Sequence, residues 1–171
     1  KNADRWNIDP DKIAVGGFSA GGNLSGMIGT QWHRGDLCER NGIPAGGCKP
    51  NALLLCYAPC DMQEHIENTK LGAIMRDMPS ELQTLDFVSA QTPPSFIWHT
   101  MEDEKVPVEN ALAWATKCRE KGVPFELHIY QSGRHGLSMN TDLTAYGMQH
   151  PINVETWVPL CIHWLRKTLD F

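Results

Sequence analysis

The chain has 171 residues, 42% of them hydrophobic and 20% charged, enough for one domain with a core of its own, spanning 1–171. Its formal net charge is −5 and it carries no Lys/Arg stripe, which excludes nucleic acid and an anionic membrane surface as partners. No apolar run approaches the ~20 residues of a membrane helix, so no membrane partner is expected.

The chain opens on Asn2-Ala3-Asp4-Arg5-Trp6, which reads as the tail of a helix. Ile8-Asp9-Pro10-Asp11 is a turn. Residues 12–17 form a short apolar run, as in a buried parallel strand. Phe18-Ser19-Ala20 then turns into a helix over about 20–33 that carries Leu24, Met27, Ile28 and Trp32. Gly22, Gly26 and Gly29 recur on it at spacings that favour close packing on a sheet. Residues 34–50, rich in Gly, Pro, Cys and charge, read as a long surface loop.

Residues 52–57 are the second buried strand, with short helical stretches expected near 62–71 and 79–86. Thr92-Pro93-Pro94 forces an extended approach to a third strand at 95–99. Val108, Ala111, Leu112, Ala115 and Cys118 lie on one face of a helix over about 107–121, which Gly122 stops. Residues 125–130 are the fourth strand, 131–152 a long loop, and a last helix starts near Thr156 with Pro159 in its first turn. Strand and helix alternate, which predicts an α/β fold: a parallel sheet with right-handed crossovers and helices on both faces.

The six cysteines follow no zinc-ligand spacing. They read as reduced, partly buried thiols of a cytoplasmic protein, with a Cys38–Cys48 bridge left open. An export signal would precede Lys1, so the compartment rests on the thiols alone.

Gly17-Phe18-Ser19-Ala20-Gly21 is a Gly-x-Ser-x-Gly motif between a strand and a helix. That context holds a serine in a strained turn with its hydroxyl exposed, and small neighbours avoid clashes. The N–H of Ala20, at the helix N-terminus, is the candidate oxyanion donor. A serine nucleophile needs a base. His99 and His128 lie within strands, His163 in the last helix and His33 at a helix end, and His65 and His150 have no supporting context. His135 lies between Gly133-Arg134 and Gly136 in a loop after the last strand, where the imidazole can project. The base in turn needs a carboxylate. Of Glu102, Asp103 and Glu104, Asp103 stands three residues before Val106-Pro107 and is favoured; the two glutamates read as a solvated acidic loop. Ser19, Asp103 and His135 each follow a strand, so the topology brings them to one edge, where open α/β sheets bind ligands.

The strings Asp9-Pro10-Asp11-Lys12-Ile13-Ala14-Val15, Gly17-Phe18-Ser19-Ala20-Gly21-Gly22, Thr92-Pro93-Pro94-Ser95-Phe96-Ile97-Trp98-His99-Thr100, Asp103-Glu104-Lys105-Val106-Pro107 and Gly133-Arg134-His135-Gly136-Leu137 run in one order. In them the chain resembles the acetyl-esterase and xylan-esterase-like branch of the α/β-hydrolases, carbohydrate acetyl esterases included. The resemblance implies a serine esterase that removes small acyl groups, acetyl on sugar hydroxyls above all, without metal or organic cofactor. Its substrate would be a small-molecule or carbohydrate ester, with Trp98 and Tyr146 as candidates to stack on a sugar ring and Trp98 the better candidate for the core.

Members of that branch also carry an N-terminal half with further strands and a His-Gly-Gly-Gly-like loop, which supplies a second oxyanion donor. The chain looks like the C-terminal part, a partial α/β-hydrolase fold with the N-terminal strands absent. Loss of one oxyanion donor costs a factor of about 100–1000 in rate, so weak activity is expected of the chain alone. The strand at 12–17 is then an exposed sheet edge and a route to a homo-oligomer. Two other readings stay open: an amide-cleaving hydrolase of peptidase or formamidase type, and an inactive fragment that needs its N-terminal half or self-association.

Overall fold

The computed structural model describes residues 2–44, 46–61, 83–145 and 153–171. Strands β1 (Ala14–Phe18), β2 (Ala52–Cys56), β3 (Ser95–Thr100) and β4 (Phe125–Tyr130) pair in parallel in the order β1-β2-β3-β4. Ala14 lies opposite Ala52, Leu53 opposite Ser95, and Ser95 opposite Phe125. The helices are α1 (Ala3–Trp6), α2 (Ala20–Gln31), α3 (Gly35–Arg40), α4 (Glu109–Lys121), α5 (Asp142–Ala145) and α6 (Trp157–Leu169), with 3-10 turns at Thr84–Phe87 and Val154–Thr156.

The period-2 alternation of the strands divides the core in two. Leu53, Leu55 and Ile97 face α4, where Ala111, Trp114 and Cys118 cover them. Cys56, Phe96 and Trp98 face the opposite side and meet Trp157, Cys161 and Trp164 of α6. All six residues of β3 are buried, as its central position and continuous apolar run require. The expected parallel sheet with helices on both faces is therefore present. Strand order follows chain order, so connections of one hand put α2 and α4 on the same face.

β1 is an edge strand among the described residues, and its residues are half-buried or exposed, unlike those of β2. α2 buries its small polar face: Gly22, Asn23, Ser25, Gly26, Gly29 and Thr30. A Cβ on Gly22 would come within 2.6 Å of that of Ala58, and one on Gly29 within 2.3 Å of Leu53 Cδ1. The helix sits that close to the sheet, and Leu24 and Ile28 are left facing out.

Residues 34–50 are not all loop. α3 occupies 35–40, because the Gly and Pro that signalled a loop cluster at 42–47, and Cys38 is buried. α4 ends on Gly122 at φ 71, whose N–H and that of Val123 take the free carbonyls of Arg119 and Cys118. Pro159 sits in the first turn of α6, where no helical N–H is needed. The expected helical stretch at 62–71 lies outside the described residues, as do His65, Tyr146 and His150, and the one at 79–86 is described only from 83, where Thr84–Phe87 is a 3-10 turn. Among the described residues no helix is long and apolar enough to cross a membrane.

Candidate active site

Three loops leave the carboxyl ends of β1, β3 and β4 on one edge of the sheet, and each delivers one side chain. Ser19 follows β1 with φ 53 and ψ −122, a strained conformation for a residue with a side chain. Its N–H donates to Cys56 O at 2.9 Å, which pins the turn to β2. Its carbonyl accepts from the N–H of Gly22 and Asn23 and so starts α2. Ala20 is the first residue of that helix, and the first N–H groups of a helix have no intrahelical acceptor.

Asp103 follows β3 and is buried. Its Oδ1 accepts the N–H of Lys105 at 3.0 Å and of Val106 at 2.9 Å, which closes the loop ahead of Pro107. His135 follows β4 between Gly133 at φ 139 and Gly136 at φ 85, backbone that a side chain would strain. His135 Nδ1–H donates to Asp103 Oδ2 at 2.7 Å, and Ser19 O–H donates to His135 Nε2 at 2.8 Å. The structure thus brings Ser19, His135 and Asp103 into one hydrogen-bonded chain, in the tautomer that leaves Nε2 free to take a proton. Burial alone would raise the pKa of Asp103, but the hydrogen bonds from His135, His99 and Val106 N–H outweigh it and hold the carboxyl well below the usual carboxylate range.

Further residues frame these three, and of them Thr100 and Tyr57 were not singled out from the sequence. Glu102 is not merely solvated: its Oε2 accepts the N–H of Gly133 at 3.0 Å, and Thr100 O–H donates to Gly133 O at 2.7 Å. Together they anchor the His135 loop to the end of β3. Tyr57, just past β2 with φ 40, sets its ring edge-on to His135 at 5.0 Å, and its hydroxyl accepts the N–H of Ser138. Burial pushes the Tyr57 phenol up to about 12. Trp98 is fully buried, stacked on Trp157 at 5.4 Å, and belongs to the core beneath the site. A cavity of about 580 Å3 opens beside His135, lined also by Glu102, Glu104, Lys105 and Arg134. Among the described residues no three His, Cys, Asp or Glu side chains converge as a metal site would need.

Residues 2–150 match the sequence profile of the prolyl oligopeptidase family. The chain belongs to that family. Within and around it, the chain is similar to endo-1,4-beta-xylanase B of Butyrivibrio fibrisolvens, 32% identical over 148 residues, 83% of this chain and 23% of that protein. It is 29% identical over 150 residues to the acetylxylan esterase of Xylanibacter ruminicola, 82% of this chain and 29% of that protein. The crystal structure of an acetyl ester-xyloside bifunctional hydrolase from Caldicellulosiruptor lactoaceticus superposes with a TM-score of 0.78 at 36% identity, over 99% of this chain and 61% of that one. The chain therefore spans less than a third of the curated relatives and about three fifths of the solved one. It has a partial α/β-hydrolase fold and is a prolyl oligopeptidase family chain whose relatives include esterases.

Proposed function

We propose that this chain carries the acyl-transfer centre of a serine carboxylic-ester hydrolase acting on small acyl esters, acetyl groups on carbohydrate foremost. The observation that carries the reading is the continuous run from Ser19 Oγ through His135 to Asp103, with contacts of 2.8 and 2.7 Å. Ser19 Oγ attacks the ester carbonyl while its proton passes to His135 Nε2, and Asp103 stabilises the imidazolium. The Ala20 N–H faces the charge that grows on the carbonyl oxygen. The bond to the alcohol breaks as His135 returns the proton to the leaving oxygen. Water then repeats the sequence on the acyl-Ser19 ester and frees the acid.

Support for the carbohydrate ester comes from the names of the relatives, an acetylxylan esterase and an acetyl ester-xyloside hydrolase. The charged rim of the cavity at His135 suits a hydroxyl-rich leaving group. A second reading, amide cleavage, is favoured by the family itself, which is described by its oligopeptidases. The same three residues would serve, so substrate decides between them.

The test is mass spectrometry after a fluorophosphonate probe. Labelling is expected at Ser19 and is expected to vanish in Ser19→Ala and His135→Ala. Label on another residue, or label that survives His135→Ala, sinks the reading. Turnover of acetylated xylo-oligosaccharide against a prolyl peptide anilide then separates ester from amide.

A further inference from the structure

We propose that His99 is a positioning residue that holds Asp103 in place for His135, an inference that rests on the proposed acyl-transfer reading. His99 lies near the end of β3, is fully buried and never reaches the surface of the site. A carbonyl only accepts, so the 2.9 Å contact between its Nε2 and Val106 O means that Nε2 carries a hydrogen and donates it there. The same nitrogen stands 3.4 Å from Asp103 Oδ2. Val106 is the residue whose N–H holds Asp103 Oδ1. His99 therefore grips the far end of the turn that grips the carboxylate, and it lays a positive N–H edge beside the oxygen that His135 uses.

The arrangement closes a small circuit. Asp103 Oδ1 is fixed by two backbone N–H groups, and Oδ2 lies between two imidazoles, His135 at 2.7 Å and His99 at 3.4 Å. The carboxylate has no free rotation left. Packing by itself does not account for an imidazole at this position. No described residue hydrogen-bonds its Nδ1, although that atom is buried. A buried polar atom without a partner costs free energy that an apolar side chain of the same size would not incur. What only the imidazole supplies at this depth is the Nε2–H donor, aimed at the Asp103–Val106 turn.

The experiment compares wild type, His99→Leu, His99→Gln and His99→Asn by proton NMR, following the far-downfield resonance of the His135 Nδ1–H that Asp103 accepts. Leu removes the donor. Gln places an amide N–H where Nε2 stood, and Asn places its amide nearer the position of Nδ1. The resonance is expected to be lost or broadened in His99→Leu and His99→Asn and kept in His99→Gln. In the same order kcat falls, by about tenfold to a hundredfold, with KM unchanged, because the substrate touches neither residue and only the geometry of the base is loosened. A resonance that persists in His99→Leu overturns the proposal, as does one lost equally in the Gln and Asn variants. If His99→Leu does not fold, the two amides decide, since they are chemically alike and differ in where the N–H is offered. The NMR readout needs only a folded chain. Failure of the acyl-transfer reading would show instead in the labelling of His135→Ala and would leave the resonance in place.

Discussion

Asp103 Oδ2 stands 2.7 Å from His135 Nδ1, while Asp103 Oδ1 is held by the N–H groups of Lys105 and Val106. The two oxygens thus have separate tasks: one fixes the loop and the other orients the His135 ring. Asp103→Asn would keep the shape but offer an N–H to His135, which favours the wrong tautomer. Turnover is expected to fall by about four orders of magnitude, with fluorophosphonate labelling of Ser19 slowed in proportion. The same substitution has a pH signature. The folded-state pKa of Asp103 lies below its unfolded value of about 3.9, so its ionisation stabilises the fold above that pH. This contribution is lost as pH falls through the folded-state value. Denaturant melts of wild type and Asp103→Asn should therefore start to draw together as pH falls below about 4 and continue to do so on further acidification, and a gap that widened on acidification would contradict the assignment.

The two glycines of the serine motif are not equivalent. A Cβ on Gly17 would lie 2.1 Å from Gly21 O and 2.7 Å from Gly22 N, backbone atoms that cannot swing aside. One on Gly21 would meet nothing within 4 Å. Gly17→Ala must push the first turn of α2 off the sheet and carry Ser19 with it, and a displacement of ~1 Å costs about a hundredfold in rate. Gly21→Ala should keep the labelling rate and stabilise α2 by up to ~1 kcal/mol, the helix-propensity difference. Labelling rates and thermal midpoints of the two variants check this, and equal damage from both would mean that the motif works through something other than close packing.

The four strands, α2, α4 and α6 could be read from the sequence because their signals are local. Periodicity, Gly122 as a stop and Pro159 in a first turn each act within a few residues. That Ser19, Asp103 and His135 meet at one edge of the sheet was legible for a related reason: each sits in a short loop with its own signature after a strand. What escaped were contacts that join distant loops. The bonds of Glu102 and Thr100 to Gly133 span about thirty residues, and no spacing rule announces them. Tyr57 at the edge of His135 is another such case. α2 was legible through its glycines, whose spacing already signalled close packing on the sheet. Its apolar residues face out and its glycines face in, since closeness to the sheet, not hydrophobicity, sets which face packs.

Cys38 and Cys48 place their sulfurs 3.7 Å apart across ten residues, both as free thiols. Cys56, Cys60 and Cys118, by contrast, are buried and pushed up to about 12. Burial, with the hydrogen bond to Cys38, also raises Cys48, so its thiolate is scarce at neutral pH. Oxidised glutathione should form a mixed disulfide at half-buried Cys48, from which Cys38 displaces the glutathione. The chain loses two hydrogens, faster at alkaline pH. Closing so short a loop should raise the thermal midpoint by roughly 5–10 °C. Peptide mapping after alkylation checks the pairing, and a bond through any other cysteine would refute it.

The outer edge of β1 has no strand partner among the described residues, and beside it α2 turns out Leu24, 58% exposed, and Ile28, 44% exposed. An open row of backbone N–H and C=O groups flanked by apolar side chains is a template for pairing. The occupant expected for the isolated chain is a second copy, because the same edge on each molecule is complementary to itself about a two-fold axis. Sedimentation velocity should show concentration-dependent dimers. Leu24→Glu with Ile28→Lys should shift them towards monomer and leave Ser19 labelling unchanged, since both side chains are exposed and neither belongs to the Ser19–His135–Asp103 chain. A wild-type chain that stays monomeric across the accessible concentrations would show that this edge is not an association surface.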